Sequence, residues 1–128
     1  MQNQYYLKDK KAQIYKKFSN GQDESGFSLP ESYFPISPVP IWCYTRQLTQ
    51  DQIFAAMAYS QQETRLFIFN YHKNVAVYDI INYKNTWYEI TRVDTTDDYN
   101  GELFVYVKFL KWGPKPEQIE EYDPTKWE

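Results

Sequence analysis

Cys43 and His72 are the residues best suited to nucleophilic chemistry, because a thiol becomes a nucleophile when a neighbouring histidine removes its proton. The sequence contains one cysteine and one histidine, and no third group that would orient the imidazole can be identified. A structural zinc site is excluded as well, since it needs three or four clustered nitrogen and sulfur ligands. We interpret Cys43 as a small buried residue beside Trp42, and His72 as a turn residue.

Asp97 and Asp98 resemble a pair of catalytic carboxylates, but they precede Tyr99-Asn100-Gly101, where turn chemistry explains them. The chain has four glycines and no glycine-rich motif that could bind a phosphate. The sequence therefore predicts no catalytic residue, no metal site and no cofactor, and it indicates that the protein is not an enzyme.

A chain of 128 residues is the usual size of one domain. Its single cysteine forbids an intrachain disulfide and is typical of a reducing compartment. No apolar run approaches the ~20 residues that span a bilayer, and the polar start MQNQYYLKDKK lacks the apolar core of a signal peptide. We expect a soluble protein made in a cytoplasm.

The net charge of −3 argues against general nucleic-acid binding. Five lysines between Lys8 and Lys17 form the one basic cluster. They could line a groove for stacked bases, but lysines also discourage strand edges from pairing with other sheets, and we favour that second interpretation.

Alternating apolar and polar residues predict an all-β fold of about six strands. Thr49-Gln50-Asp51-Gln52 matches a capping box, which predicts one short α-helix over residues 50–60. These elements form one predicted domain over residues 1–113. The predicted strands are Lys10–Phe18, Val39–Arg46, Thr64–Tyr71, Val75–Tyr83, Thr86–Val93 and Glu102–Leu110.

Two segments have no place in that pattern. Ser19–Pro38 contains two glycines and three prolines, so we interpret it as a loop rather than a strand. Structureless loops of this length are usually functional or disordered. Residues 114–128 carry many charges and no evident pairing partner, which predicts a C-terminal arm.

Six aromatic residues lie in these two segments or beside them, outside the predicted core. Each aromatic side chain can bury about 150–250 Å², so leaving all six in water would be unfavourable. They either fold back on their own domain or dock on neighbouring subunits. They are Phe27, Tyr33, Phe34, Trp112, Tyr122 and Trp127.

The order of the elements resembles the head–tail joining proteins, also called head-closure or stopper proteins, of long-tailed bacteriophages. That family has a hairpin patterned D-x-I-x-Y, a short turn, then Y-E-I-x-x-V. The hairpin residues here are Asp79, Ile81 and Tyr83, followed by Tyr88, Glu89, Ile90 and Val93. The other matching segments are Ile41-Trp42 on an early strand, the helix around Asp51–Ala58 and the strand Arg65–Tyr71. The chain departs from the family at Asn70, where the family commonly has arginine, and in its longer acidic arm.

The resemblance implies a small antiparallel β-barrel with one helix, assembled as a homo-oligomeric ring at the virion neck. Such a ring closes the DNA-filled capsid below the portal and adaptor proteins, and then receives the tail-completion and tail-tube proteins. It is assembled in the bacterial host cytoplasm and lies close to packaged double-stranded DNA, with no membrane and no small-molecule substrate.

The resemblance also implies roles for the unplaced residues. The long loop of the family lies toward the central channel, which makes Asp23, Glu24, Phe27, Glu31, Tyr33 and Phe34 the candidate channel residues. Between Phe18 and Arg46 there is no Lys or Arg, so the loop would obstruct a duplex without binding its phosphates. Trp112, Tyr122 and Trp127 are the candidate interface residues.

Two alternatives remain open from the sequence. One is a tail-completion or adaptor component of the same connector, and the other is a non-catalytic domain that binds carbohydrate or protein. In each case we expect Asp79, Glu89 and Arg92 to face outward or to form pairs between subunits.

Overall fold

The computed structural model describes residues 7–27, 29, 31–49, 63–70, 75–95, 101–113 and 119–127. Within them the six predicted strands are confirmed, and a seventh short strand is added. Most strand ends agree within two residues, but the strand predicted from Val75 begins only at Ile80. The predicted helix over 50–60 lies outside the described residues. The strands are β1 (Lys10–Phe18), β2 (Ser32–Pro35), β3 (Ile41–Gln47), β4 (Arg65–Asn70), β5 (Ile80–Tyr83), β6 (Thr86–Thr95) and β7 (Glu102–Trp112), followed by a 3-10 turn, Pro124–Trp127.

Six of the strands form a closed antiparallel barrel in the order β1-β3-β4-β7-β6-β5, with β5 pairing back onto β1. The closing pairs include Ile14 opposite Ile81. β2 is an extra strand that pairs antiparallel with the second half of β1. The predicted small antiparallel barrel is therefore confirmed.

The barrel interior is filled by the side chains that alternate inward along each strand. On β7 these are Leu103, Val105 and Val107, all at most 2% exposed. β4 is buried on both faces, because Phe67 and Phe69 point into the main core while Leu66 and Ile68 form a second cluster with Leu48. Alternation thus fixes which face of each strand lies inside.

β2 corrects the prediction that all of Ser19–Pro38 is loop. Phe34 and Tyr33 pair with Lys16 and Lys17 of β1, and Pro35 ends the strand. A proline is tolerated there because β2 lies at the edge of the sheet, where a missing N–H breaks no central ladder. The strand was missed because it is only four residues long and lies among prolines, which favour a loop prediction.

One edge of β1 pairs with β2 along its second half and with β3 along its first half, and the irregular residues 36–40 connect β2 to β3. The buried side chain of Gln13 fills the gap between the two pairings. Its Nε2 donates to the backbone oxygen of Ser37 at 3.2 Å, and its Oε1 accepts from the Ile14 backbone N–H at 3.1 Å. The amide thus satisfies backbone groups that the interrupted ladder leaves unpaired.

Asp79 is buried, which corrects the expectation that it faces outward. Its carboxylate accepts backbone N–H groups of Lys17 at 3.1 Å and Ala76 at 2.9 Å, and Lys16 Nζ lies 3.7 Å away. Burial raises the pKa of Asp79, while the Lys17 N–H bond and the Lys16 charge lower it. The carboxylate ties the turn before β5 to β1.

Glu89 and Arg92 form ion pairs within the chain, whereas pairs between subunits were one of the expectations. Lys108 Nζ lies 3.2 Å from Glu89. Arg92 lies 3.3 Å from the buried carboxylate of Glu63 and stacks over the Tyr106 ring at 3.9 Å. These pairs fasten β6 to β7 and to the residues just before β4.

Candidate functional site

The β1–β2 hairpin extends past its paired strands and ends in a tip over Asp23–Phe27. The Leu29 N–H donates to the Gly21 oxygen at 2.9 Å, and the Asp23 N–H donates to the Phe27 oxygen at 2.8 Å. The Asp23 carboxylate accepts the backbone N–H groups of Ser25 and Phe27 at 2.9 and 3.0 Å. Asp23 therefore stabilises the conformation of the tip and also gives it a negative charge.

The candidate channel residues divide between the tip and the base of this hairpin. Asp23, Glu24 and Phe27 are exposed at the tip, where the Phe27 side chain is 72% exposed. Glu31 lies nearer the base, 3.0 Å from Lys17 Nζ. The tip thus presents unshielded acids and one aromatic ring, whereas the charge of Glu31 is partly balanced.

Tyr33 and Phe34 lie at the base of the hairpin, under residues 119–127, which we call the C-terminal segment. Tyr33 forms a parallel β-bridge with Ile119, and the Glu120 N–H donates to the Tyr33 oxygen at 2.8 Å. Ile119 is 7% exposed and packs with Ile80 and Trp87. The expectation that the arm has no pairing partner is therefore wrong.

The end of the C-terminal segment closes over the same base. Lys126 Nζ lies 4.6 Å from the Phe34 ring centre and 5.2 Å from that of Phe18. The Trp127 ring lies 5.7 Å from the Phe18 ring and packs against the main core. Its indole N–H is buried without a hydrogen-bond partner among the described residues.

The last residues of β7, Phe109–Trp112, are exposed, in contrast to the packed C-terminal segment. We call them the ribbon end. Phe109, Leu110 and Trp112 are 42%, 43% and 73% exposed, and the Phe109 and Trp112 rings lie 4.7 Å apart. The adjoining backbone is held by a bond from the Gly113 N–H to the Asn85 oxygen at 3.0 Å. The ribbon end is thus an ordered aromatic surface in contact with solvent.

The six aromatics outside the predicted core divide into two groups. Tyr33, Phe34 and Trp127 fold back on their own chain, whereas Phe27 and Trp112 remain exposed. Tyr122 of the C-terminal segment is partly exposed.

Comparison with known proteins decides the family. Residues 9–108 match the family model for the phage head completion protein. The chain belongs to the phage head completion protein family.

One solved structure adds independent support for the fold. The solution structure of protein SF1141 from Shigella flexneri 2a is similar, with a TM-score of 0.64 and 12% sequence identity over 84% of this chain and 96% of that one. A search of curated proteins found no match.

A head completion protein is a structural head–tail joining component of the phage virion, acting with other head and tail proteins. The family is non-catalytic, which confirms that this chain is not an enzyme. The Cys43 thiol is fully buried, and burial raises its pKa to about 12, so it is held protonated. His72, Asp97 and Asp98 lie outside the described residues.

The part of the chain covered by the structure contains no group of three potential metal ligands. Within the same residues, no helix has the length and hydropathy needed to cross a bilayer.

Sequence reasoning missed the residues that anchor the C-terminal segment, Ile119 and Lys126. The signal available was weak. Ile119 is the one aliphatic residue in residues 114–128, and an isolated apolar side chain in a charged stretch indicates a single point of attachment. Lys126 gave no signal, because its aromatic partners Phe34 and Phe18 are 92 and 108 residues away in sequence.

Proposed function

We propose that this head completion protein forms a homo-oligomeric ring below the portal and adaptor, where it closes the filled capsid and provides the surface on which the tail docks. The observation that carries the proposal is the β1–β2 hairpin, which projects an acidic, solvent-exposed tip from a closed barrel. A barrel that is already complete does not need this extension for its own core.

The reach of the hairpin supports a position in the channel. The chain from Ser19 to the tip at Glu24 and back to Glu31 is stiffened by the hydrogen bonds of the tip and by the Lys17–Glu31 ion pair. Each arm can span at most ~3.3 Å per residue, so tips from several copies can approach a common axis.

The charge of the hairpin supports obstruction rather than binding of DNA. The tip carries Asp23 and Glu24, and the sequence has no Lys or Arg between Phe18 and Arg46. Cations would bind phosphates and release counterions, which makes binding strong and salt-dependent. Acids instead leave the duplex unbound, so the tip would block its exit sterically and let it pass once moved aside.

The test is a shortened hairpin in complete phage. The Leu29 N–H already bonds to the Gly21 oxygen, so replacing residues 22–28 with Asn-Gly converts that pair into a two-residue turn without disturbing β1 and β2. We expect heads isolated without tails to assemble and then to lose their DNA, measured by the fraction of DNA-filled heads in electron micrographs.

The matched control is Glu24→Gln, which removes one charge and keeps the length of the tip. It should retain DNA like the native protein if the obstruction is steric. Shortened hairpins that retain DNA as long as native ones do would contradict the channel position.

A further inference from the structure

The ribbon end is an exposed apolar surface that neither the barrel core nor the hairpin uses. Its three apolar side chains lie within four residues of one another, and Trp112 is the most exposed large apolar residue described. Tryptophan is enriched among the few residues that supply most of the binding energy of an interface. Exposed apolar patches of this kind mark interaction sites.

The ribbon end lies just beyond the part of the chain that matches the family model. The match covers residues 9–108, whereas the exposed residues run from Phe109 to Trp112. The C-terminal segment lies beyond the matched residues too.

Charge complementarity identifies the occupant. The ribbon end carries Lys111, and the adjoining β5–β6 turn adds Lys84, both exposed. The outward side of the C-terminal segment carries Glu120 and Glu121, also exposed, beside the partly exposed Tyr122. An aromatic surface with a basic border thus matches an aromatic surface with an acidic border.

The C-terminal segment is held ready for such a contact. Ile119 and Trp127 attach it to its own barrel, and the Asp123 carboxylate accepts from the Thr125 N–H at 3.0 Å and the Thr125 hydroxyl at 2.7 Å. A surface that is already ordered loses less entropy on binding.

We infer that the ribbon end of one copy binds the outward side of the C-terminal segment of the next copy, with Trp112 placed against Tyr122. The inference rests on the proposed ring and names its subunit interface. Because the two surfaces differ, the contact is head-to-tail, the type of contact that generates closed rings.

The test uses disulfide cross-linking in necks assembled from the full chain. Trp112→Cys and Tyr122→Cys each place one thiol on one of the two surfaces, and the buried Cys43 stays unreactive. A mixture of the two single variants should give cross-linked dimers on oxidation, and each single variant alone should give none.

Three outcomes would overturn the interface. They are dimers from Trp112→Cys alone, which indicate a symmetric contact, cross-links only to a different virion protein, and no cross-link in necks that contain several copies. If electron microscopy shows a single copy at the neck, the proposed ring itself fails, so the two failures are distinguishable.

Charge reversal gives a second measurement. Lys111→Glu should reduce the number of copies incorporated per head several-fold, and adding Glu121→Lys in the same chain should restore it. Lys10→Glu, an exposed change of the same sign on β1, is the matched control and should leave incorporation unchanged. Failure of the second substitution to restore incorporation would contradict the pairing.

Discussion

Among the individual residues, Asp79 is a buried carboxylate that ties the turn before β5 to β1. Asp79→Asn keeps an oxygen for the Lys17 N–H but brings an amide N–H group against the Ala76 N–H, and it removes the pair with Lys16. We expect a loss of about 1–3 kcal/mol in the free energy of unfolding, measured by urea denaturation. Asp94→Asn, at an exposed carboxylate, should stay within about 0.5 kcal/mol of the native protein.

The pH dependence of that loss follows from the raised pKa of Asp79. The folded state keeps the proton at pH values where the unfolded chain, with an ordinary pKa of 3.8, has lost it. The contribution of Asp79 to the free energy of unfolding is therefore greatest below pH 3.8, and it is lost as the pH rises through the folded-state pKa of Asp79. The stability difference between the native protein and Asp79→Asn should narrow over that range, and a difference that widens would contradict the burial effect.

At the scale of elements, the C-terminal segment is attached at few points, so a substitution at one of them should lower stability measurably while Trp127 still holds the segment to the barrel. Ile119→Ala removes a buried side chain from beside Ile80 and Trp87 and should lower the free energy of unfolding by about 2 kcal/mol. Val39→Ala, at a side chain that is 63% exposed, is the matched control, with an expected change within about 0.5 kcal/mol. Equal effects in urea denaturation would show that Ile119 is not an anchor.

The same element shows where sequence patterns stop being informative. β7 was predictable because its buried residues alternate over its first six positions, and β1 because it is a run of nine residues without glycine or proline. β2 is four residues long and ends in Pro35, and the C-terminal segment joins it through one β-bridge. Short pairings of this kind are decided by neighbours distant in sequence, and no local period records them.

The candidate site was predictable to a similar degree. Phe27 and Trp112 are exposed, so docking through them stays a prediction, whereas Tyr33 and Trp127 needed the structure to place them against their own chain. Asp79 was predicted inside a strand that starts at Val75, but it lies in the turn before β5, where Tyr78 has a φ of 75°.

For the whole molecule, the barrel can be separated from the C-terminal segment, one of the two proposed assembly surfaces. Truncation after Gly113 leaves all seven strands and the family-matched residues 9–108 intact, but it removes the C-terminal segment with its outward acids. We expect a folded, less stable protein that is no longer incorporated into heads, measured by circular dichroism and by the protein content of purified heads.

Ile119→Ala is the control that separates the two effects. It lowers stability and keeps Glu120, Glu121 and Tyr122, so it should still be incorporated at temperatures where it is folded. Normal incorporation of the truncated protein would show that the C-terminal segment plays no part in assembly.

The pairing of β1 with three other strands has a mechanical consequence. Its second half carries the hairpin through β2, its first half holds β3, and its middle closes the barrel against β5. A force applied to the tip along the hairpin would therefore pass through this single strand to the seam of the barrel, where it would load the backbone hydrogen bonds to β3 and β5 together rather than one at a time.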